Sequence, residues 1–143
     1  METQHPLLTY GIYMPKEDNY VVLENKTQSE ELLDLTGFDM YYDVGSPRVI
    51  TGTGSIKTNL VTLKEESYNK VLNKMDWLLA VQDEKSINKR VLHTFTYEGK
   101  EIQAWIYINE KARISRNINP EKLISDGDWA KDKAERKLRA KTA

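Results

Sequence analysis

The sequence of 143 residues contains no cysteine and only two histidines, His5 and His93. Without cysteine there is no disulfide, no thiolate nucleophile and no cysteine-ligated zinc. Two histidines also argue against a histidine-rich metal site. We therefore expect no metal and no cofactor, and the absence of disulfides is typical of a cytoplasmic protein.

Long apolar runs and an excess of one charge are also missing. No segment is long and apolar enough to cross a membrane, and residues 1–6 lack the basic start and apolar core of a secretory signal. The formal net charge of -1 argues against a general nucleic-acid binder, which would usually be basic. A chain of this length is expected to form one domain around one core.

In the stretch Leu7–Tyr13, an apolar run ends abruptly at the Tyr10-Gly11 pair, which predicts a short buried strand followed by a turn. Gly11 is the residue there that adopts a positive φ at little steric cost. The backbone amides of Gly11, Ile12 and Tyr13 are then able to point together at a bound anion. The alternative is a strand followed by an ordinary loop.

The next segments predict a helix and then strands. Thr27 and Glu30 fit a capping box, which predicts a short helix through Leu32 and Leu33 that ends near Gly37. Alternating apolar residues then predict three strands, at 38–42, 48–51 and 55–63. A turn at 43–47 and a glycine-containing hinge at 52–54 join them.

The strongest helical pattern follows. A second possible capping box lies at 62–65, and apolar residues then recur at helical spacing: Tyr68, Val71, Leu72, Met75, Leu78 and Leu79. This stripe indicates core packing rather than a cofactor surface. A loop at 82–86 precedes two alternating strands around Glu98-Gly99, a predicted hairpin turn.

The C-terminal segment is basic and helical in propensity. Asn119-Pro120-Glu121 predicts the start of a short helix. We assign residues 1–128 to the domain and residues 129–143 to a basic helical tail with a thin apolar stripe. We expect the tail to be a solvated, fraying helix; contact with an acidic protein partner or nucleic acid is the alternative.

Motifs in this order resemble the γ-glutamylcyclotransferase-like family of small mixed α+β barrels with flanking helices. Tyr10-Gly11-Ile12-Tyr13 is similar to the family's Tyr-Gly-Thr-Leu turn after its first strand. Tyr42-Asp43-Val44-Gly45-Ser46-Pro47 is similar to its Tyr-Asp-x-Gly-x-Pro turn. The remaining similarities are Leu72–Asp76 to the end of the main helix, Ala104–Tyr107 to the closing strand, and Gly127-Asp128-Trp129 to the C-terminal loop.

The resemblance implies an activity and a site. Family members bind a γ-glutamyl group with the turn amides, here those of Tyr10, Gly11, Ile12 and Tyr13. A glutamate near the end of the main helix takes a proton from the substrate amine, which attacks the γ-carbonyl and releases 5-oxoproline. The expected partners are thus a small anionic ligand or a γ-glutamyl compound, or else a protein.

This chain departs from the family where the reaction requires a base. The family's glutamate follows three residues after the aspartate, and a glycine follows it; here those positions are Leu79 and Ala80. A helix longer by about one turn would instead bring Glu84 to the site, since Glu84 lies six residues before Arg90. A solvated loop pair of Asp83 and Glu84 is the alternative.

Two functions remain open from the sequence. The first is a ligand- or protein-binding family member without the usual catalytic glutamate. The second is an active cyclotransferase with Glu84 as general base. We interpret the other candidate side chains as structural. His93 is expected to be a half-buried histidine, and Arg48 a surface arginine able to pair with an anion. Most of the aromatic residues Tyr10, Tyr42, Trp105 and Tyr107 are expected to lie in the core.

Overall fold

A computed structural model describes residues 3–43, 45–109 and 119–142. The strands are β1 (Leu7–Thr9), β2 (Thr27–Asp43), β3 (Ser46–Leu63), β4 (Asn88–Tyr97) and β5 (Lys100–Asn109), and the α-helices are α1 (Tyr68–Leu78) and α2 (Trp129–Thr142). Short 3-10 turns lie at Gly11–Tyr13, Asp18–Val22, Glu65–Ser67 and Pro120–Lys122. Within the described ranges, no helix combines the length and apolar character needed to span a bilayer.

The five strands form one mixed sheet in the order β2-β3-β1-β5-β4. The β1–β5 pair is parallel and the other pairs are antiparallel. The sheet curls until side chains of its two outer strands meet: the Tyr97 hydroxyl donates to Glu31 Oε1 at 2.9 Å, and the Phe38 and His93 rings lie 5.0 Å apart. The predicted α+β class, with a barrel-like sheet and flanking helices, is confirmed.

The helix predicted through Leu32 and Leu33 is wrong, because this segment is the first half of β2. Leu33 and Leu35 are buried, whereas Leu32 is 67% exposed, which is the two-residue period of a strand. Glu30 does not cap a helix. Its carboxylate accepts hydrogen bonds from the Tyr20 hydroxyl at 2.6 Å and from Asn59 Nδ2 at 3.0 Å.

The two strands predicted at 48–51 and 55–63 are one continuous strand, β3, paired with β2 along its length. The glycines between them do not form a hinge. They make room for Asp39 of the paired strand, whose Oδ1 accepts from the Gly54 amide at 2.9 Å. A Cβ at Gly52 or Gly54 would collide with the Asp39 carboxylate. The turn that joins β2 to β3 is confirmed at Gly45, and Val44 lies outside the described residues.

The predicted helical stripe is confirmed in α1 for Tyr68, Val71, Leu72 and Met75, which are buried. It does not extend to Leu78, which is 42% exposed, and Leu79 lies just after the end of the helix. The capping box predicted at 62–65 is wrong: β3 continues to Leu63, a 3-10 turn follows, and α1 begins only at Tyr68. The helix packs on a cluster that includes Leu7, Val61 and Tyr107, so it covers the sheet beside β1. The predicted hairpin turn at Glu98-Gly99 is confirmed between β4 and β5, with φ angles of 51° and 77°.

The C-terminal helix is attached to the sheet at its start. Asp128 Oδ1 accepts from the Lys131 amide at 3.1 Å, as an N-cap does. Trp129 is 4% exposed and stacks on Tyr42 at 6.0 Å. The Arg136 guanidinium lies 3.9 Å from the centre of the Tyr42 ring. The first two turns of α2 therefore pack against the core, although most of the remaining helix is exposed.

We expect Trp129→Ala to lower the free energy of unfolding by about 3–5 kcal/mol, because it removes a large buried ring from the core. The matched control is Trp77→Ala, at a tryptophan that is 72% exposed; its loss should stay within about 1 kcal/mol. Urea unfolding followed by circular dichroism measures both. Equal losses would contradict the burial of Trp129 in a core shared by the sheet and α2.

Candidate functional site

A cavity opens between the turn that follows β1 and the end of α1. The volume of this cavity is about 90 Å³. Its described lining residues are Leu8, Thr9, Tyr10, Ile12, Tyr13, Ser46, Pro47, Arg48, Met75, Leu79, Asn88, Tyr107 and Asn109. They come from β1, the 3-10 turn, the start of β3, the end of α1 and strands β4 and β5, so the cavity is built from both halves of the chain.

The Tyr10–Tyr13 turn forms one wall of this cavity through three of its four residues: Tyr10, Ile12 and Tyr13. Gly11 has φ of 61° and instead packs against Pro47, where a Cβ on Gly11 would lie 2.5 Å from Pro47 Cγ. The positive φ and the close approach both favour glycine here. Gly11 thus brings the start of β3 against the turn.

The turn uses some of its own amides. The Tyr13 amide donates to the Tyr10 carbonyl at 3.2 Å, and the Met14 amide donates to the Gly11 carbonyl at 3.1 Å. The amides of Gly11 and Ile12 are the first of the turn and have no acceptor within it. Of the three amides predicted to bind an anion, that of Tyr13 is therefore already occupied.

A buried ion pair behind the cavity positions the end of α1. Asp76 is 6% exposed, and Arg90 binds both of its carboxylate oxygens, with Nε to Oδ1 at 3.0 Å and Nη2 to Oδ2 at 3.2 Å. The Tyr107 hydroxyl also donates to Asp76 Oδ1, at 2.6 Å. Since β4 carries Arg90 and β5 carries Tyr107, this network joins α1 to both strands.

Helix α1 ends at Leu78, so it is not one turn longer as a catalytic Glu84 would require. Ala80 has φ of 53°. Its amide donates to the Trp77 carbonyl at 3.2 Å, and the Val81 amide donates to the Asp76 carbonyl at 3.1 Å. This is a Schellman motif, in which glycine usually occupies the left-handed position. Ala80 thus has the conformation expected for the family's glycine, and Leu79 before it lines the cavity.

Glu84 lies in the exposed loop after α1 and is not among the described residues that line the cavity. In the same loop, the Lys85 amide donates to Asp83 Oδ1 at 2.9 Å. The role of Glu84 as a general base stays a prediction.

Two asparagines that the sequence analysis missed complete the lower wall. Asn109 Nδ2 donates to Asn88 Oδ1 at 2.7 Å, and Asn109 Oδ1 accepts from the Val49 amide at 2.9 Å. Asn88 Nδ2 donates to the Leu79 carbonyl at 2.8 Å. The two residues lie opposite each other at the ends of β4 and β5, so only the hairpin register predicted around Glu98-Gly99 would have pointed to the pair.

Arg48 is the one charged side chain among the described residues that line the cavity. Its Nε pairs with Asp43 Oδ2 at 3.0 Å. A guanidinium has five N–H donors in a planar fork, so this ion pair uses only part of what Arg48 offers. The cavity therefore combines an apolar body with a cation at the start of β3.

Three tyrosines, Tyr10, Tyr13 and Tyr107, also line the cavity. Burial raises the pKa of Tyr10, Tyr13 and Tyr107 above the ordinary value near 10. The Tyr10 hydroxyl donates a hydrogen bond to the Tyr107 carbonyl. The hydrogen bond from the Tyr107 hydroxyl to Asp76 further raises the pKa of Tyr107. All three phenols are consequently protonated at neutral pH.

The other predicted candidates lie apart from the cavity. His93 is half-buried between Phe38 and Phe95, and burial lowers its pKa. Tyr42 stacks on Trp129, and Trp105 lies under Arg90 at 4.3 Å. In the portion of the chain covered by the structure, no three His, Asp or Glu side chains come together as metal ligands.

Residues 7–131 match the family described as gamma-glutamyl cyclotransferase, AIG2-like. The chain therefore belongs to this family, as its ordered motifs predicted. A comparison with curated proteins finds no match.

Solved structures with related folds have low sequence identity. An uncharacterised protein of Pyrococcus horikoshii is 14% identical with a TM-score of 0.62, and the match covers 94% of this chain and 97% of that one. YkqA of Bacillus subtilis is 19% identical with a TM-score of 0.63, over 97% of this chain and 43% of that one. YtfP of Escherichia coli is 18% identical with a TM-score of 0.56, over 87% and 95%. These likenesses show the shared fold.

We expect the cavity tyrosines to resist ionisation. Unfolded tyrosines lose their proton near pH 10, whereas the folded pKa values of Tyr10, Tyr13 and Tyr107 are raised. Above pH 10 the unfolded state therefore binds fewer protons than the folded state. The free energy of unfolding should hold below pH 10 and fall as the pH rises further.

Absorbance at 295 nm, which reports phenolate, measures this at each pH, and urea unfolding in the same buffers gives the stability. The protein in guanidinium chloride is the control, where all eight tyrosines should ionise together near pH 10. Tyr107→Phe should reduce the steepness of the stability loss. Complete ionisation of the folded protein near pH 10 would contradict the raised pKa values.

Proposed function

We propose that this family member binds a small anionic ligand in the cavity and lacks the general base needed to form 5-oxoproline. The proposal rests above all on Leu79, which lines the cavity immediately before the left-handed residue Ala80. An alkyl side chain at this position is unable to accept a proton. A substrate ammonium would therefore remain protonated and would not attack a carbonyl.

The other described lining residues do not replace that base. The guanidinium of Arg48 has N–H donors and no acceptor, and the raised pKa values of the three lining tyrosines keep them neutral. The asparagine, serine and threonine side chains are not bases near pH 7. The carboxylate of Asp76 lies behind the wall, bound by Arg90 and Tyr107.

The lining favours a compact carboxylate as the ligand. Arg48 is the cationic group, and the Ile12 amide, which has no acceptor within the turn, adds a donor on the neighbouring wall. Leu8, Ile12, Met75 and Leu79 make the rest largely apolar. One water molecule needs roughly 10–15 Å³ of cavity volume. The 90 Å³ of this cavity therefore accommodates a ligand of a few heavy atoms.

The alternative is an active γ-glutamyl cyclotransferase with Glu84 as general base. The six-residue spacing from Glu84 to Arg90 and the family membership support it. It requires the loop after α1 to bring Glu84 to the cavity when substrate binds. The assay for 5-oxoproline described next decides between the binding protein and the active enzyme.

The first experiment tests the missing base. Purified protein is incubated with γ-glutamyl peptides and amines, and 5-oxoproline is measured by chromatography. We expect no product from the wild type, whereas Leu79→Glu should yield product because it adds a carboxylate at the cavity wall. The first matched control is Leu79→Gln, because glutamine has the shape of glutamate but does not act as a base. The second is Leu78→Glu, which adds the carboxylate at an exposed neighbouring position.

Turnover by the wild type that Glu84→Gln abolishes would establish the alternative and overturn the proposal. If folded Leu79→Glu gives no more product than Leu79→Gln, the assignment of Leu79 to the base position fails.

The second experiment tests the cation. Acetate, glutamate, 5-oxoproline and γ-glutamylalanine are titrated while the methyl NMR signals of Ile12 and Leu79 are followed. We expect at least one of them to bind, and Arg48→Met to weaken it by about 10-fold or more, since hydrogen bonds to charged groups contribute about 1.5–3 kcal/mol.

Lys57→Met is the matched control for that titration. Lys57 is also on β3 and also pairs with an aspartate, Asp34, at 2.6 Å, but it does not line the cavity. An equal loss in both variants, or no binding by any of the four carboxylates at 10 mM, would contradict the proposed site.

A further inference from the structure

A second concave surface lies between the Asp18–Val22 turn and α1. Its lining residues are Val21, Val22, Lys26, Lys70, Val71 and Lys74, and we call it the lysine groove. Its volume is about 390 Å³, which is larger than the 90 Å³ of the cavity. No described residue lines both, so the groove is a separate feature.

The groove is apolar at its base and continues into exposed apolar surface. Val71 is buried, whereas Val21 is 63% exposed. Lys70, Lys74 and Trp77 follow one another at four- and three-residue spacing and thus share one face of α1. Trp77 is 72% exposed, and Lys74 Nζ lies 4.9 Å from the centre of its ring.

The groove carries charge of one sign. Of the six described residues that line it, three are lysines and none is acidic. Among the described residues, Lys70 and Lys74 form no ion pair, and Lys26 Nζ donates to the Val22 carbonyl at 3.3 Å. By contrast, Lys57, Lys131 and Lys133 each pair with a carboxylate. In a chain whose net charge is -1, this is a local concentration of unpaired positive charge.

We propose that the lysine groove binds an acidic amphipathic peptide segment of a partner protein. Bulky apolar side chains of the segment enter the groove over Val21 and Val71 and pack on Trp77, while its carboxylates pair with Lys26, Lys70 and Lys74. An apolar groove with aromatic and basic neighbours matches this chemistry on both counts. The concave shape favours inserted side chains over a flat bilayer surface. The proposal does not depend on the function of the cavity.

The test begins with a phage-displayed library of random 12-residue peptides selected on the wild-type protein. We expect the enriched sequences to combine at least two large apolar residues with an excess of aspartate and glutamate. One enriched peptide is synthesised with a fluorescent label, and its dissociation constant is measured by anisotropy against each variant. Lys70→Glu/Lys74→Glu should weaken binding by 10-fold or more, because two attractions become repulsions.

The control is Lys100→Glu/Lys137→Glu, which makes the same charge change at exposed lysines at the start of β5 and on α2; it should change the dissociation constant less than 3-fold. Trp77→Ala should weaken binding at least 5-fold. Circular dichroism verifies that each variant is folded.

Several results overturn the proposal. It fails if the selection enriches no peptide at all, or if the enriched peptides show no excess of aspartate and glutamate. It also fails if a peptide binds the wild type and Lys70→Glu/Lys74→Glu with equal affinity. Preferential binding of a 12-nucleotide DNA or of phosphatidylserine vesicles, lost in that double variant while acidic peptides fail to bind, would assign the groove to another class of partner.

Discussion

The buried carboxylate of Asp76 is the constraint on which the site depends. A charge held at 6% exposure is tolerated only with close partners, and here both oxygens are bound by Arg90 while Tyr107 adds a third bond. These partners belong to two adjacent strands, so α1 has one favourable position on the sheet. The hydrogen bond from Asn88 to the Leu79 carbonyl then places the residue after the helix against the cavity.

This arrangement separates binding from reaction along the chain. The binding wall comes from the turn after β1 and the start of β3, where Gly11 packs on Pro47 and Arg48 follows. The wall at which a proton acceptor would be needed comes from the end of α1. Asp76 fixes α1 to β4 and β5, and Asn88 binds the backbone carbonyl of residue 79 rather than its side chain. The identity of residue 79 is therefore able to change while these contacts persist. Family membership and the fold are thus compatible with either outcome for the chemistry.

The sequence was informative where structure depends on local spacing. Residues such as Val71 and Met75 repeat every three to four positions and predicted α1, and Glu98-Gly99 predicted the hairpin. The sequence misled where contacts distant in the chain decide: Glu30 resembles a capping residue, yet its partner Asn59 is 29 residues away. Likewise, Tyr10, Ile12 and Tyr13 were found from one motif, whereas Asn88 and Asn109 contribute only because the hairpin register makes them neighbours.

The curl of the sheet also bears on how accessible its edge strands are to a strand from another molecule. An open sheet ends in strands whose outward N–H and C=O groups are able to pair with a strand from another molecule, and long edges are the most hazardous. Here the outer strand β2 has 17 residues. The contacts of Glu31 with Tyr97 and of Phe38 with His93 turn this edge toward β4. A foreign strand would have to displace those side chains before it could extend the sheet, so the contacts that give the sheet its barrel-like shape also oppose aggregation.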